Sequence, residues 1–167
     1  MRKVIFLDID GVLNTKCSYG QMDRTTHKDE YGYTFDATAV ANLAKIIEKT
    51  GADVIISSSW KCMGLSELRK MWEKRQLPGR IVDVTPDYMS DELLLNADLN
   101  DIDVLYNRGI EIKGWMEQHG ESVSQYVIVD DMDDILPEQQ SHFVQTDPEV
   151  GISASLTNTA KPQLLRI

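Results

Sequence analysis

Two aspartates two residues apart, Asp8 and Asp10, close an apolar run in Phe6-Leu7-Asp8-Ile9-Asp10-Gly11-Val12-Leu13. On an extended backbone, side chains two apart share a face, so both carboxylates can reach one cavity. One can attack as a nucleophile while the other gives and takes a proton. Gly11 lets the chain turn sharply and lets a ligand approach the backbone. A second acidic pair, Asp130-Asp131, closes the run Val127-Ile128-Val129, and Ser57-Ser58-Ser59 follows Val54-Ile55-Ile56. Four carboxylates held together repel one another; a bound divalent cation relieves this, and an all-oxygen site suits Mg²⁺. The cation would also offset the charge of a phosphate. An EF-hand does not fit the first motif, because Leu13 and Thr15 occupy the later ligand positions.

The elements that must position these groups alternate short apolar runs with amphipathic stretches. That pattern predicts an α/β fold with a parallel sheet. The predicted strands are Val4 to Leu7, Val54 to Ile56, Ile81-Val82 with Val84, Tyr126 to Val129, and Phe143-Val144. The first is unbroken in hydrophobicity, as for a strand buried on both faces. Val40, Leu43, Ala44 and Ile47 predict a helix with Asp36 as N-cap and Gly51 as its stop. Leu65, Leu68 and Trp72 mark a second, and Ile112, Trp115, Met116 and His119 a third that ends at Gly120. A last helix is predicted near Thr157, with Pro162 limiting it. Ligands of open parallel sheets bind outside the carboxyl ends of the strands. If these strands are neighbours, the acids and serines converge on one cleft. Arg108 stands near a helix start, where the dipole disfavours a cation, and this suggests a purpose for it. Ser57, Ser58 and Ser59 could close the strand or cap the next helix. Trp60, Trp72 and Trp115 read as packing residues.

Residues 14–35 and 85–107 carry no clear period. They read as a flap and a substrate-covering loop, or as surface decoration. The 167 residues otherwise suit one domain spanning 1–167. The formal net charge of −10 argues against nonspecific nucleic-acid binding, yet leaves room for a phosphorylated substrate at a locally positive site. Cys17 and Cys62 form no C-x-x-C pair, so both are read as reduced thiols of a cytoplasmic protein. The opening apolar stretch is too short for a signal peptide or membrane span.

D-x-D-G-V-L after an apolar strand resembles the first motif of the haloacid dehalogenase-like superfamily of phosphohydrolases. Ile55-Ile56-Ser57 resembles the second motif, Arg108 the basic third, and Asp130-Asp131, with Asp133 or Asp134 following, the acidic fourth. The four occur in the family's order along nearly the whole chain. Ser57-Ser58-Ser59-Trp60, Arg108-Gly109-Ile110-Glu111-Ile112 with Trp115, Thr146-Asp147-Pro148 and Gly151-Ile152 further resemble the small phosphatase-like domain of Swiss Army knife RNA-repair proteins.

The resemblance implies a Rossmann-like three-layer sandwich with a parallel five-stranded sheet and a small or absent cap. It implies that Asp8 attacks phosphorus to form an aspartyl-phosphate, and that Asp10 protonates the leaving oxygen and then activates water. Ser57, with Ser58 as the alternative, would bond the transferring phosphoryl group, and Arg108 would neutralise its charge. Gly11 would admit the substrate to the backbone. Mg²⁺ would be held by Asp8, the backbone carbonyl of Asp10, and Asp130 and Asp131, with the alignment leaning towards Asp131. An acid at Asp10 favours a phosphatase or phosphomutase over a dehalogenase or transport ATPase. The expected substrate is a nucleotide, a nucleic-acid terminal phosphate or a small phosphomonoester. One rival is a phosphotransferase or phosphomutase on the same site. Another is a phospho-receiver signalling module, whose acids usually follow the strands in a different order.

Overall fold

A computed structural model describes residues 2–21, 27–88 and 107–165. Five strands form a parallel sheet: β1 (Arg2–Leu7), β4 (Asp53–Ile56), β5 (Ile81–Val84), β6 (Val123–Asp130) and β7 (Phe143–Gln145), in the order β5-β4-β1-β6-β7. Two short strands, β2 (Lys28–Asp29) and β3 (Gly32–Tyr33), pair separately as an antiparallel hairpin. All five predicted strands are present, and the parallel α/β sandwich expected of the family is the fold observed.

The sheet is buried on both faces with a strict period of two. Ile5, Leu7, Val54, Ile56, Val127 and Val129 face one side, and Val4, Phe6, Ile55 and Ile128 the other. The first side is covered by helices α2 (Ala37–Thr50), α3 (Leu65–Lys74) and α5 (Ala154–Leu165), through Leu43, Ile46, Leu68, Met71, Ala160 and Leu164. The second is covered by α4 (Arg108–His119) through Ile112 and Trp115, the indole and the Phe6 ring meeting edge to face at 5.4 Å between ring centres. Helix α1 (Lys16–Gln21) precedes the hairpin.

The helix boundaries follow from their caps. Asp36 accepts from the backbone N–H groups of Thr38 and Ala39, and Gly51 closes α2 in a left-handed conformation. The buried face of α2 differs from the predicted stripe. Ala39, Asn42, Leu43, Ile46 and Thr50 point inward, while Val40, Ala44 and Ile47 are half-buried. The rotation reflects two polar residues that burial can accommodate: Asn42 Nδ2 donates to the Ile152 carbonyl at 2.8 Å and Thr50 Oγ1 to that of Ile46 at 2.7 Å. Helix α5 starts earlier than predicted, because the Ser153 hydroxyl accepts from Leu156 N at 3.2 Å, and it runs past Pro162.

The hairpin in the predicted flap is docked on α3. Arg75 forms a two-pronged pair with Asp29 at 2.9 and 2.7 Å, and Tyr31 donates to Glu67 at 2.8 Å. Residues 22–26 of that flap, and 89–106 of the predicted covering loop, lie outside the described residues.

Candidate active site

The chain proceeds from β1 to β4 and β5 on one side, then to β6 and β7 on the other. Strand β1 is therefore the switch point at which an α/β crevice opens. Leu7 is level with Ile56 on β4 and with Val129 on β6. The residues that follow, Asp8, Ser57 and Asp130, thus emerge side by side. The ladders continue into them: Asp8 N donates to Val129 O at 3.0 Å and Ser57 N to Leu7 O at 2.9 Å.

Beyond Asp8 the chain turns tightly around Ile9, whose carbonyl accepts from Val12, Leu13 and Asn14 N. The turn depends on Gly11. Its φ is +72°, and a Cβ there would stand 2.4 Å from the Asp131 carboxyl. Asp131 thus packs directly against the backbone between Asp10 and Val12. The family-like residues after β7 brace the same turn: Thr146 Oγ1 donates to Gly11 O at 2.9 Å and Ile152 N to Val12 O at 3.1 Å.

Arg108 is the first residue of α4, and the loop after β6 holds it there. Its N–H faces Asp134 Oδ2 at 3.3 Å, Gly109 N donates to Asp134 O at 3.0 Å, and Asn107 caps the helix. Gly109 is needed for close approach, since a Cβ would lie 2.4 Å from Leu136 N. From this start the guanidinium reaches the strand ends. Its nitrogens lie 3.7 Å from Asp8 Oδ1, 3.3 Å from Asp130 Oδ2 and 3.5 Å from Glu111 Oε2.

The electrostatics follow from burial. Loss of water lifts the Asp8 carboxyl to about 6, against the nearby Ser58 hydroxyl and the Arg108 charge, which lower it. Burial, then the Asp8 charge, lifts Asp130 to about 8, and burial also raises Asp131. Burial works against the Arg108 charge, but Asp130, Asp8 and Glu111 outweigh it and keep the guanidinium protonated. Oxygens of Asp8, Asp130 and Asp131 lie within 4.8 Å of one another. Asp130 Oδ2 is buried and, among the described residues, accepts no aligned hydrogen bond. Clustered, under-bonded oxygens with raised proton affinity are what a hard divalent cation fits.

An open cavity of about 380 Å³ sits over these groups. It is lined by the predicted residues Asp8, Asp10, Gly11, Arg108 and Asp131, by Ser59 and Pro148 of the family-like runs, and by Asn14, Lys16 and Met132, which sequence reasoning missed. Ser57 and Ser58 are both buried behind it. The Ser58 hydroxyl accepts from Trp60 N at 3.5 Å and helps to lower the Asp8 proton affinity, whereas among the described residues Ser57 Oγ has no hydrogen-bond partner. Asp10 stands apart from the Asp8–Asp130–Asp131 oxygens. Its own oxygens are taken by Asn14 Nδ2 at 2.7 Å and Trp60 Nε1 at 2.9 Å. Trp72 and Trp115 pack in the core as expected. Trp60 does more than pack: its ring meets Phe35 at 5.5 Å while its N–H reaches the site. The D-x-D-G-V-L-N run and the adjacent Ser-Trp were the available signals for Asn14 and Trp60.

Residues 4–156 match the family described as the HAD domain in Swiss Army Knife RNA repair proteins. No curated protein matches the chain.

Proposed function

The chain belongs to this family of HAD domains, and from that premise we propose that it is a Mg²⁺-dependent phosphomonoesterase working through an aspartyl-phosphate on Asp8. The observation that carries the reading is the setting of Asp8. It is a buried carboxylate at the end of the central strand, facing an open cavity, with Arg108 at 3.7 Å and two further acids within ligand reach.

Asp8, Asp130, Asp131 and the backbone carbonyl of Asp10 would hold the cation. When bound, it would draw these acids into their ionised form and offset phosphate charge. Asp8 attacks phosphorus. Arg108 gathers the equatorial charge of the transferring group, and Ser58 or Ser57 supplies a hydroxyl to it. Asp10 delivers a proton to the leaving oxygen and later takes one from the attacking water. Its carboxylate must be oriented for this, and Asn14 and Trp60 support that orientation. Gly11 keeps the cavity floor free of side chain.

We assign the substrate as a nucleotide or a nucleic-acid terminal phosphate, supported by the family description and the open cavity. The exposed Cys17 and Cys62 are unpaired, which supports a reducing cytoplasmic setting. No helix among the described residues is long and apolar enough to cross a membrane.

The test is a Mg²⁺-supplemented phosphatase screen across nucleotides, sugar phosphates, phosphopeptides and 3′- or 5′-phosphorylated oligonucleotides, with Asp8→Asn alongside. Release of inorganic phosphate by wild type and its absence in a folded Asp8→Asn variant are expected. Transfer to a sugar acceptor in place of water would support a mutase. Retained turnover in Asp8→Asn would overturn the assignment.

A further inference from the structure

Among the described residues, Arg108 has three acidic side chains within ion-pair reach, and they are not equivalent. Asp8 and Asp130 line up with the reaction, so their contacts with the guanidinium must be rewritten when phosphate enters. Glu111 stands behind. It lies one turn along α4, at i+3, its side chain only 9% exposed, with Oε2 at 3.5 Å from Arg108 Nη1. Both its oxygens are held. Oε1 pairs with the buried Lys61 ammonium, and Oε2 accepts from Thr85 Oγ1 at 3.3 Å. Lys61 also donates to the Pro86 carbonyl at 3.1 Å. Lys61 lies in the short helical turn Ser59–Met63 after β4, and Thr85 and Pro86 follow β5. Glu111 is therefore a fixed carboxylate that ties α4 to two strand ends.

Resting on the proposed phosphatase reading, we propose that Glu111 is a positioning residue: braced by Lys61 and Thr85, it sets the Arg108 guanidinium over Asp8 so that the charge meets the phosphoryl group. An arginine side chain loses substantial rotamer freedom when it is fixed. A rigid anchor behind the guanidinium removes that loss from the binding step. The anchor has to be an acid for its charge to hold Arg108, and the Lys61 ammonium on its far side keeps the buried carboxylate compensated.

The experiment is a double-mutant cycle with two readouts: kcat/KM on nitrophenyl phosphate, and competitive inhibition by inorganic phosphate. Glu111→Gln should lower kcat/KM about tenfold and weaken inorganic phosphate by a similar factor, with the Mg²⁺ midpoint unchanged. In an Arg108→Ala background the same substitution should add no further loss, because Glu111 acts through Arg108. A purely structural role would instead multiply the two losses, and that result would overturn the proposal. So would full phosphate affinity and rate in Glu111→Gln. If that variant fails to fold, Glu111→Asp keeps the charge but withdraws it. Its loss must have the same sign and must also vanish without Arg108. Arg108→Ala with unchanged phosphate affinity would remove the role of Arg108 itself, and this inference with it. A wild type that neither binds phosphate nor hydrolyses esters would sink the phosphatase reading.

Discussion

Trp60 Nε1 donates to Asp10 Oδ2 at 2.9 Å. The bond joins the end of β4 to the turn after β1, and with Asn14 on the other oxygen it fixes the carboxylate assigned to proton transfer.

Asp10→Asn is expected to cost an alkyl phosphate about 10² to 10⁴ in kcat, and a nitrophenyl phosphate far less, because a good leaving group needs little protonation. Trp60→Phe retains a ring against Phe35 but removes the donor. It should show the same selectivity at smaller scale, about tenfold on the alkyl ester, the worth of one hydrogen bond to a charged group. Comparing kcat for the two esters in both variants is the check. Equal losses on both esters would assign these residues a structural role only.

Metal binding should be steeply pH dependent. Asp8 and Asp130 hold protons up to about 6 and about 8 in the metal-free protein, and a cation needs them ionised. Mg²⁺ affinity should therefore rise as pH climbs through that window and level off above it, with protons released on binding. Calorimetry in buffers of different ionisation enthalpy reads the release. Replacing Asp130 and Asp131 together by Asn should raise the Mg²⁺ concentration needed for activity. An affinity that is flat from pH 6 to 8 would remove these acids from the metal site.

The hairpin pair gives a stability prediction remote from the chemistry. Arg75 beside Asp29 holds that carboxyl below the ordinary carboxylate range. The folded value is depressed, so the stabilisation is present above the ordinary value of about 4 and is lost as pH falls through the lower one. Asp29→Asn should cost about 1 kcal/mol at neutral pH, roughly 2–4 °C in Tm for a chain of this size. The gap to wild type should close in acid. A gap independent of pH would mean that packing, rather than charge, holds the hairpin.

Much of the fold was legible because burial on both faces writes itself as unbroken apolar runs, as in Val4 to Leu7. Asp8 and Asp130 were legible because they end such runs, and parallel register then sets them side by side. The order of strands, and hence the shared cleft, was not deducible from spacing alone. Asn42 misled the reading of α2, since an amide satisfied by a distant carbonyl leaves no apolar signal. Trp60 was read as packing because its ring is large and apolar, and only the helical turn after β4 aims its one donor at Asp10. Glu111 entered the sequence reading only as one residue of the Arg108 to Ile112 run. Its burial depends on Lys61 and Thr85, 50 and 26 residues away. Among three consecutive serines, backbone geometry alone decides which hydroxyls are buried beside the site, here those of Ser57 and Ser58.

In the proposed reaction Asp8 carries the phosphoryl group. Asp10→Asn should slow breakdown of the aspartyl-phosphate, so that variant, mixed with Mg²⁺ and nitrophenyl phosphate and quenched in acid, should accumulate it. Peptide mass spectrometry is expected to place the added phosphoryl group on Asp8. Turnover with no phosphorylated peptide, or a phosphoryl group on any other residue, would rule out Asp8 as the nucleophile.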